Sequence, residues 1–370
     1  MDVEKFLNRC FEELGKKDAS DLHVKSGEVP RIRFEKHLVS FMEERPDAAF
    51  LEELLKSLTT EYLRKRFETE RSVDFAFTRE PFGRFRVNVF SQKGELTMVF
   101  RRMRMKIPGF KELNLPPIFE KIAREERGLI LISGPVGSGK TTTIASLIDF
   151  INHHRKVSIV TLEDPIEYLF RDDQALISQR EVGIDIPSFD QALRYIVRQD
   201  PDVVVVGEIR DPETLRAALT AAETGRLVIS TVHGKNVRQT FERILGLYPR
   251  ETHEQILSEL AYNLKALVSQ RLICSMTAGT LAPACEILVA NPSSTKMIRD
   301  GEFDHLIQIL QNGTRDGMQT MNQALYQLYQ DKFVSKEGAL AASDNPQALE
   351  MNIKGIFTDE GQGGILGIRK

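Results

Sequence analysis

The 370-residue chain has no tryptophan and only three cysteines. Cys10, Cys274 and Cys285 lie far apart and are odd in number, so no CxxC pair or Cys/His cluster with metal-ligand spacing exists. Free thiols in a reducing compartment are the expectation. No apolar run reaches the roughly 18 residues of a spanning helix, so no direct membrane insertion is expected. The N-terminal stretch MDVEKFLNRCFEELGKK is charged throughout and lacks the apolar core of a signal peptide. Neither charge sign dominates: 50 Lys and Arg stand against 53 Asp and Glu, a net charge of −3. General attraction to nucleic acid or anionic lipid is therefore not expected. These absences point to the cytoplasm, with any work at a membrane done through partners. What is present is ordinary for a globular protein, 41% hydrophobic and 28% charged residues. Disorder of the whole chain is excluded, and the length suits two domains.

Residues 1–104 read as an α+β unit with a mainly antiparallel sheet. Phe6, Leu7, Cys10, Phe11 and Leu14 share one helical face, and Gly15 is placed to end that helix. Strands are expected at Asp21–Val24 and Arg31–Phe34. A single helix is expected over 48–67, then strands at Val73–Thr78, Arg84–Phe90 and Leu96–Arg102. The prolines and glycine of 105–117 mark a linker. From 118 to 345 strands and helices alternate. Apolar strands at Leu129–Ser133, Ser158–Glu163, Val203–Ile209 and Leu227–His233 imply a parallel sheet covered on both faces. Helical patterns follow over 236–268 and 294–342, with a hairpin between them. The tail, 346–370, ends in a Gly-rich run and reads as flexible.

Four motifs carry chemistry. Gly134-Pro135-Val136-Gly137-Ser138-Gly139-Lys140-Thr141 matches GxxxxGK[ST], with Thr142 next on the helix. Glycines let successive N–H groups turn inward around phosphate oxygens, and the helix N-terminus adds its dipole. Lys140 is suited to the β- and γ-phosphates of ATP, and the Thr141 hydroxyl to Mg²⁺. Val203-Val-Val-Val-Gly-Glu208 ends an apolar strand in a carboxylate, which would hold the metal through water, since Mg²⁺ keeps several waters. The usual residue at that point is Asp. Thr161-Leu-Glu-Asp-Pro-Ile-Glu-Tyr168 crowds Glu163, Asp164 and Glu167 at another strand end, where open α/β sheets hold ligands; one could orient or deprotonate the attacking water. Read alone, it could equally be a solvated acidic loop. Ser230-Thr-Val-His233 places an imidazole at a third strand end.

The order GPVGSGKTTT, TLEDPIEY, VVVVGEIRDPET, STVH resembles the secretion and pilus ATPases of the PilT, PilB and GspE superfamily, whose Walker A, Asp, Walker B and His boxes come in that order. Ser20-Asp-Leu-His-Val24 and Arg86-Val-Asn-Val-Phe90 look like the superfamily's N-terminal domain. Val268-Ser-Gln-Arg-Leu272 and Asp316-Gly-Met-Gln-Thr-Met321 extend the likeness towards residue 353. The resemblance implies a PAS-like α+β domain followed by a RecA-like P-loop ATPase domain. Without a four-cysteine zinc motif or a long N-terminal extension, the chain looks like the retraction ATPases, the PilT/PilU family. Lys296-Met-Ile-Arg-Asp-Gly301 keeps Ile298 and Arg299 but has Met297 where Ala is expected. Asn263–Leu267 and Ala341–Asn345 lean towards PilU, and Gly234-Lys-Asn departs from the usual His-box sequel, so both subtypes stay open.

That resemblance implies a homohexameric motor that hydrolyses ATP to depolymerise a type IV pilus, acting on an inner-membrane platform protein and peripheral to the membrane. A PilU-like subunit working beside a retraction paralogue is the alternative. It assigns Glu163 as general base, Glu208 and Thr141 to the metal, His233 as a nucleotide sensor, and 105–117 as hinge. On the strand Gly83–Phe90, alternation puts Phe85, Val87 and Val89 on one face and Arg84, Arg86 and Asn88 on the other. The family's trans-acting arginines match Arg86 and Arg101, with Arg102 as alternate. A RecA-like nucleic-acid translocase is disfavoured, because such a protein needs a basic track.

Overall fold

The apolar spacing of the first seventeen residues forms α1 (Val3–Lys16), capped by the Asp2 carboxylate on Lys5 N–H. Gly15 does not end it. The chain turns at Asp18, which takes a left-handed φ of 46°, while Ala19 N–H reaches Leu14 O at 2.9 Å. The structure, a computed structural model, describes residues 2–35, 37–103, 106–277 and 280–356. It divides into two compact units. The first gathers residues up to 106 with 163–170 and 179–188, and the second holds the rest.

In the first unit α1 is followed by β1 (Asp21–Lys25), β2 (Arg31–Phe34) and β3 (His37–Ser40). β3 is wholly exposed and carries no apolar alternation, which is why its sequence does not announce it. The expected single helix over 48–67 is two, α2 (Ala48–Leu58) and α3 (Glu61–Glu70). The Thr59–Thr60 pair divides them: Thr59 Oγ1 bonds back to Leu55 O at 2.5 Å, and Thr60 caps α3 by accepting from Leu63 N–H. Threonines favour such local bonds over helix continuation. Three antiparallel strands complete the unit, β4 (Ser72–Arg79), β5 (Gly83–Gln92) and β6 (Glu95–Arg102), in a six-stranded sheet ordered β3-β2-β1-β6-β5-β4. One face of that sheet buries Phe85, Val87, Val89, Met98 and Phe100 against α1, where Phe11 stacks on Phe85 at 4.1 Å between centroids. Aromatic pairs of this kind add about 1 kcal/mol beyond the area they bury.

The second unit opens with α4 (Ile118–Ala123), β7 (Gly128–Ser133), α5 (Lys140–His154) and β8 (Ser158–Glu163). Then come β9 (Leu176–Glu181; residues 179–181, like Glu163 at the end of β8, are grouped with the first unit), α6 (Phe189–Ile196), β10 (Val203–Val206), α7 (Pro212–Glu223), β11 (Leu227–Val232), α8 (Val237–Leu245) and α9 (His253–Asn263). Its sheet has seven strands, ordered β13-β12-β7-β11-β10-β8-β9 with β12 (Leu264–Cys274) and β13 (Leu281–Val289) at one edge. β12, β7, β11, β10 and β8 run parallel. β7 and β11 are buried throughout, as strands covered on both faces must be. β10 stops at Val206, short of the expected Ile209; Gly207 N–H still donates to Leu162 O at 2.8 Å, and Glu208 lies beyond the strand. The helix expected to reach 268 ends at Asn263, because Leu264 and Ala266 pair with Leu129 and Ile130 of β7. The helices α10 (Pro292–Asp300), α11 (Leu306–Asn312), α12 (Met321–Gln330), α13 (Lys336–Ala342) and α14 (Pro346–Ile353) close the unit. The tail expected from 346 thus begins as a helix whose Leu349 is fully buried among Ile273, Ala284 and Leu325. Its Gly-rich end lies outside the described residues.

Cys10 and Cys285 are buried, Cys274 is exposed, and all three are free thiols. Burial pushes the Cys285 thiol up to about 12, so it is inert at neutral pH.

Glu286 on β13 is more consequential. Burial, reinforced by Asp344, raises its carboxyl from an ordinary 4.5 to about 7, against the opposing pull of Arg271 and of a backbone hydrogen bond from Val237. Between those two values the folded chain holds a proton that the unfolded chain has released. The contribution of Glu286 to stability is therefore fully present below about pH 4.5 and is lost as pH rises through about 7. The loss is on the order of 3 kcal/mol. Glu286→Gln should raise the melting temperature at pH 8 by several degrees and barely change it at pH 5. Equal shifts at both pH values in a thermal melt would refute this account.

Candidate functional site

The phosphate loop lies between β7 and α5. Gly134, Gly137 and Gly139 take φ of 150°, 78° and 84°. At Gly134 a side chain is also sterically impossible, since a Cβ would stand 2.4 Å from Gln270 O and 2.5 Å from Ser138 Oγ. Gln270 on β12 braces the loop, donating to Ser138 O at 2.7 Å and accepting from Thr143 Oγ1 at 2.8 Å. Lys140 Nζ donates to Gly134 O and Pro135 O, each at 2.9 Å. Burial lowers the Lys140 pKa, while Glu208 acts to raise it. Ser138 Oγ is buried without a hydrogen-bond partner. An orphaned hydroxyl, a cradle that excludes Cβ atoms and an ammonium at its mouth fit a polyphosphate.

Beside this loop in the sheet, Glu208 and His233 follow just beyond the ends of β10 and β11. His233 Nε2 lies 2.7 Å from Glu208 Oε1. That oxygen has no other hydrogen-bond partner, so the contact is a hydrogen bond when Nε2 carries the proton. Arg210 Nε donates to Glu208 Oε2 at 2.7 Å. Ser230 Oγ and Thr231 Oγ1 tie the two strand ends together, donating to Val206 O and Gly207 O at 2.7 Å each. The second unit therefore brings the loop, Glu208 and His233 to one sheet edge. Among the described residues, no three His, Cys, Asp or Glu side chains converge as a metal site. A cation bound here would thus draw on hydroxyl, phosphate and water oxygens as well as one carboxylate.

The other predicted residues belong to the first unit. Glu163 is the last residue of β8, one beyond Leu162, which pairs with Val206. It accepts a hydrogen bond from Gln179 Nε2 at 3.0 Å. Arg86 and Arg101 are direct cross-strand neighbours on β5 and β6. Arg86 lies 3.6 Å from Asp74 and 3.7 Å from Glu167, with 42% of its side chain exposed. Arg101 is bonded to Asp21 at 2.8 Å and remains 71% exposed. Burial acts to raise the Asp21 carboxyl, but hydrogen bonds from Ser20 and Arg101 outweigh it and hold it below its ordinary range. Arg102 meets Asp18 at 3.3 Å.

Sequence reasoning gave no role to Gln270, Ser230, Thr231, Gln179 or Arg84. The signal was available for Gln270, a polar residue within the apolar strand β12 and wholly buried in the structure.

The type II/IV secretion system protein family matches residues 1–347. The chain belongs to this family. Among its relatives, a protein named type IV pilus ATPase PilU from Pseudomonas aeruginosa is 36% identical over 354 residues, 96% of this chain and 92% of that one. The type IV pilus retraction ATPase PilT of the same organism is 36% identical over 332 residues, covering 90% and 96%. A solved structure of the pilus retraction motor PilT with bound ADP superposes with a TM-score of 0.84, at 39% identity, and covers 92% of this chain and 97% of that one. Secretion-family membership and the near-complete coverage fit the order of the four boxes along this chain.

Proposed function

We propose that the chain is an ATP-hydrolysing motor that powers type IV pilus retraction. One observation carries this reading: a phosphate cradle with Glu208 and His233 on one sheet edge, in a chain 36% identical over nearly its whole length to proteins named PilU and PilT. The first unit corresponds to a PAS-like domain and the second to a RecA-like one, joined through the linker at 105–117. The motor works as a homohexamer at the cytoplasmic face of the inner membrane and engages a platform protein of the pilus. Docking through a partner suits a chain in which no described helix is long and apolar enough to cross a membrane.

In this reading the glycine loop, with Ser138 and Lys140, holds the phosphates. Thr141 and Glu208, the latter through water, would hold Mg²⁺, which when bound would supply charge neutralisation at the phosphates. Glu163 accepts the proton of the attacking water, and Arg86 and Arg101 serve the nucleotide of a neighbouring protomer. His233, which contacts the same carboxylate as Arg210, would pass the state of that site to residues 234–236 and α8. A second reading is favoured by the relative that spans 96% of the chain, whose name is PilU. Here the chain is an accessory ATPase beside a PilT-like paralogue.

A deletion strain decides between them. As principal motor, its loss should leave pili displayed and surface motility abolished, with rescue by the wild-type gene but not by Lys140→Ala, which should also weaken ATP binding to the purified protein. As accessory, its loss should leave motility substantially intact while the paralogue is present. Normal motility after deleting both would remove the retraction reading.

A further inference from the structure

Gln179 and Glu181 are two residues apart on β9, so their side chains leave the same face of the strand. Both reach the segment that starts at Glu163. The Gln179 amide donates to Glu163 Oε1 at 3.0 Å and to Tyr168 O at 2.7 Å, and accepts from Phe170 N–H at 3.0 Å. One neutral side chain thus grips the carboxylate and the far end of its loop. Glu181, 3% exposed, accepts from Ile166 N–H at 3.1 Å and from Arg84 Nη2 at 3.0 Å. Arg84 Nε in turn donates to Ile166 O at 3.0 Å. Ile166, three residues beyond Glu163, is therefore fixed at both its N–H and its C=O. Val182 N–H closes the set on Glu163 O at 2.9 Å.

We propose that Gln179 is a positioning residue that aims the Glu163 carboxylate, and that the buried Arg84–Glu181 pair anchors the loop on which that carboxylate stands. This rests on the reading of Glu163 as the general base. A carboxylate at the end of a strand has free side-chain torsions, and misplacement of a reacting group by about 1 Å can cost roughly 10²-fold in rate. A neutral amide donor restricts those torsions without adding a cation that would compete for the proton-accepting oxygen. Lysine in its place would form an ion pair and make the base weaker. The ion pair is instead bonded at Ile166, although Arg84 is close enough to interact electrostatically with Glu163. Removing one partner of a buried pair leaves an uncompensated charge, so the loop it holds should loosen rather than shift to a new defined place.

The test is a double-mutant cycle on the full-length protein, reading kcat, KM and nucleotide affinity. Gln179→Met keeps the length of the side chain and removes the amide. It should lower kcat by roughly ten- to a hundredfold while KM and ATP affinity stay within about twofold of wild type. In a Glu163→Gln background the same change should have little further effect on kcat, since the group it aims is gone. Gln179→Glu, which keeps the acceptor for Phe170 N–H but places a carboxylate against Glu163 and Tyr168 O, should reproduce the kcat defect with ATP affinity unchanged. Three results would overturn the positioning role: normal kcat in Gln179→Met, a kcat loss matched by lost affinity or stability in both Gln179 variants, or a full-strength Gln179→Met effect in the Glu163→Gln background. Near-normal turnover of Glu163→Gln alone would instead overturn the reading of Glu163 as base.

Discussion

Glu163→Gln should bind ATP as the parent protein does and hydrolyse it roughly 10²-fold more slowly or worse, the scale of losing a general base. The side chain keeps its length and an oxygen to accept from Gln179, which donates to Glu163 at 3.0 Å, so the loop retains its anchor. Only the capacity to take a proton is removed. Glu208 is the rival carboxylate, and its surroundings argue for the other role. Arg210 and His233 each sit 2.7 Å from one of its oxygens, so both oxygens already face a partner. Such a group suits holding a hydrated cation better than accepting a proton. Single-turnover hydrolysis and equilibrium nucleotide binding, measured on the same preparations of Glu163→Gln and Glu208→Gln, separate the two. If Glu163→Gln turns over near the wild-type rate while Glu208→Gln binds normally and is dead, the roles are reversed.

Much of this was legible because the chemistry is written in contiguous runs. GPVGSGKT specifies its own turn: Gly134 and Gly139 are needed where no Cβ fits, and Lys140 falls at the helix start. The apolar runs leading to Glu163, Glu208 and His233 declared a parallel sheet. Alternation along β5 gave the buried face of Phe85, Val87 and Val89, because a strand's period of two maps directly onto burial. What stayed hidden depends on partners distant in sequence. β9 begins with Leu176 at 61% exposure and ends in charged residues, so it lacks the pattern of a buried strand. Its Gln179 and Glu181 acquire meaning only once the fold sets them against Glu163 and Ile166. The run Leu264–Val268 suits a helix or a strand equally by composition. Pairing with β7 settles it, a contact between residues more than a hundred positions apart. The Thr59–Thr60 break was legible in principle, as two β-branched hydroxyl residues within a helical pattern, but the apolar spacing on either side masked it.

Arg86→Ala combined with Arg101→Ala should lower ATP turnover on the order of 10³-fold, the usual scale for a missing arginine finger. These residues are directly opposite each other on β5 and β6. Like charges in that relation repel unless something compensates. Asp21, Asp74 and Glu167 supply that compensation at 2.8, 3.6 and 3.7 Å, and both guanidinium groups nonetheless stay substantially exposed. Two adjacent, partly solvated guanidiniums match the oxygens of a transferring phosphoryl group, which they can grip while fully charged. A solvated basic face would look similar, but it would make no difference to turnover. The mixing experiment decides which protomer's nucleotide they serve. The double arginine variant retains an intact phosphate loop, and Lys140→Ala retains intact arginines; each should be inactive alone. In mixed hexamers, some interfaces join an intact loop from one protomer to intact arginines from the next. If the arginines act across the boundary, activity should partly return and peak at intermediate mixing ratios. If they act within their own protomer, every intact loop sits beside missing arginines, and no ratio restores hydrolysis.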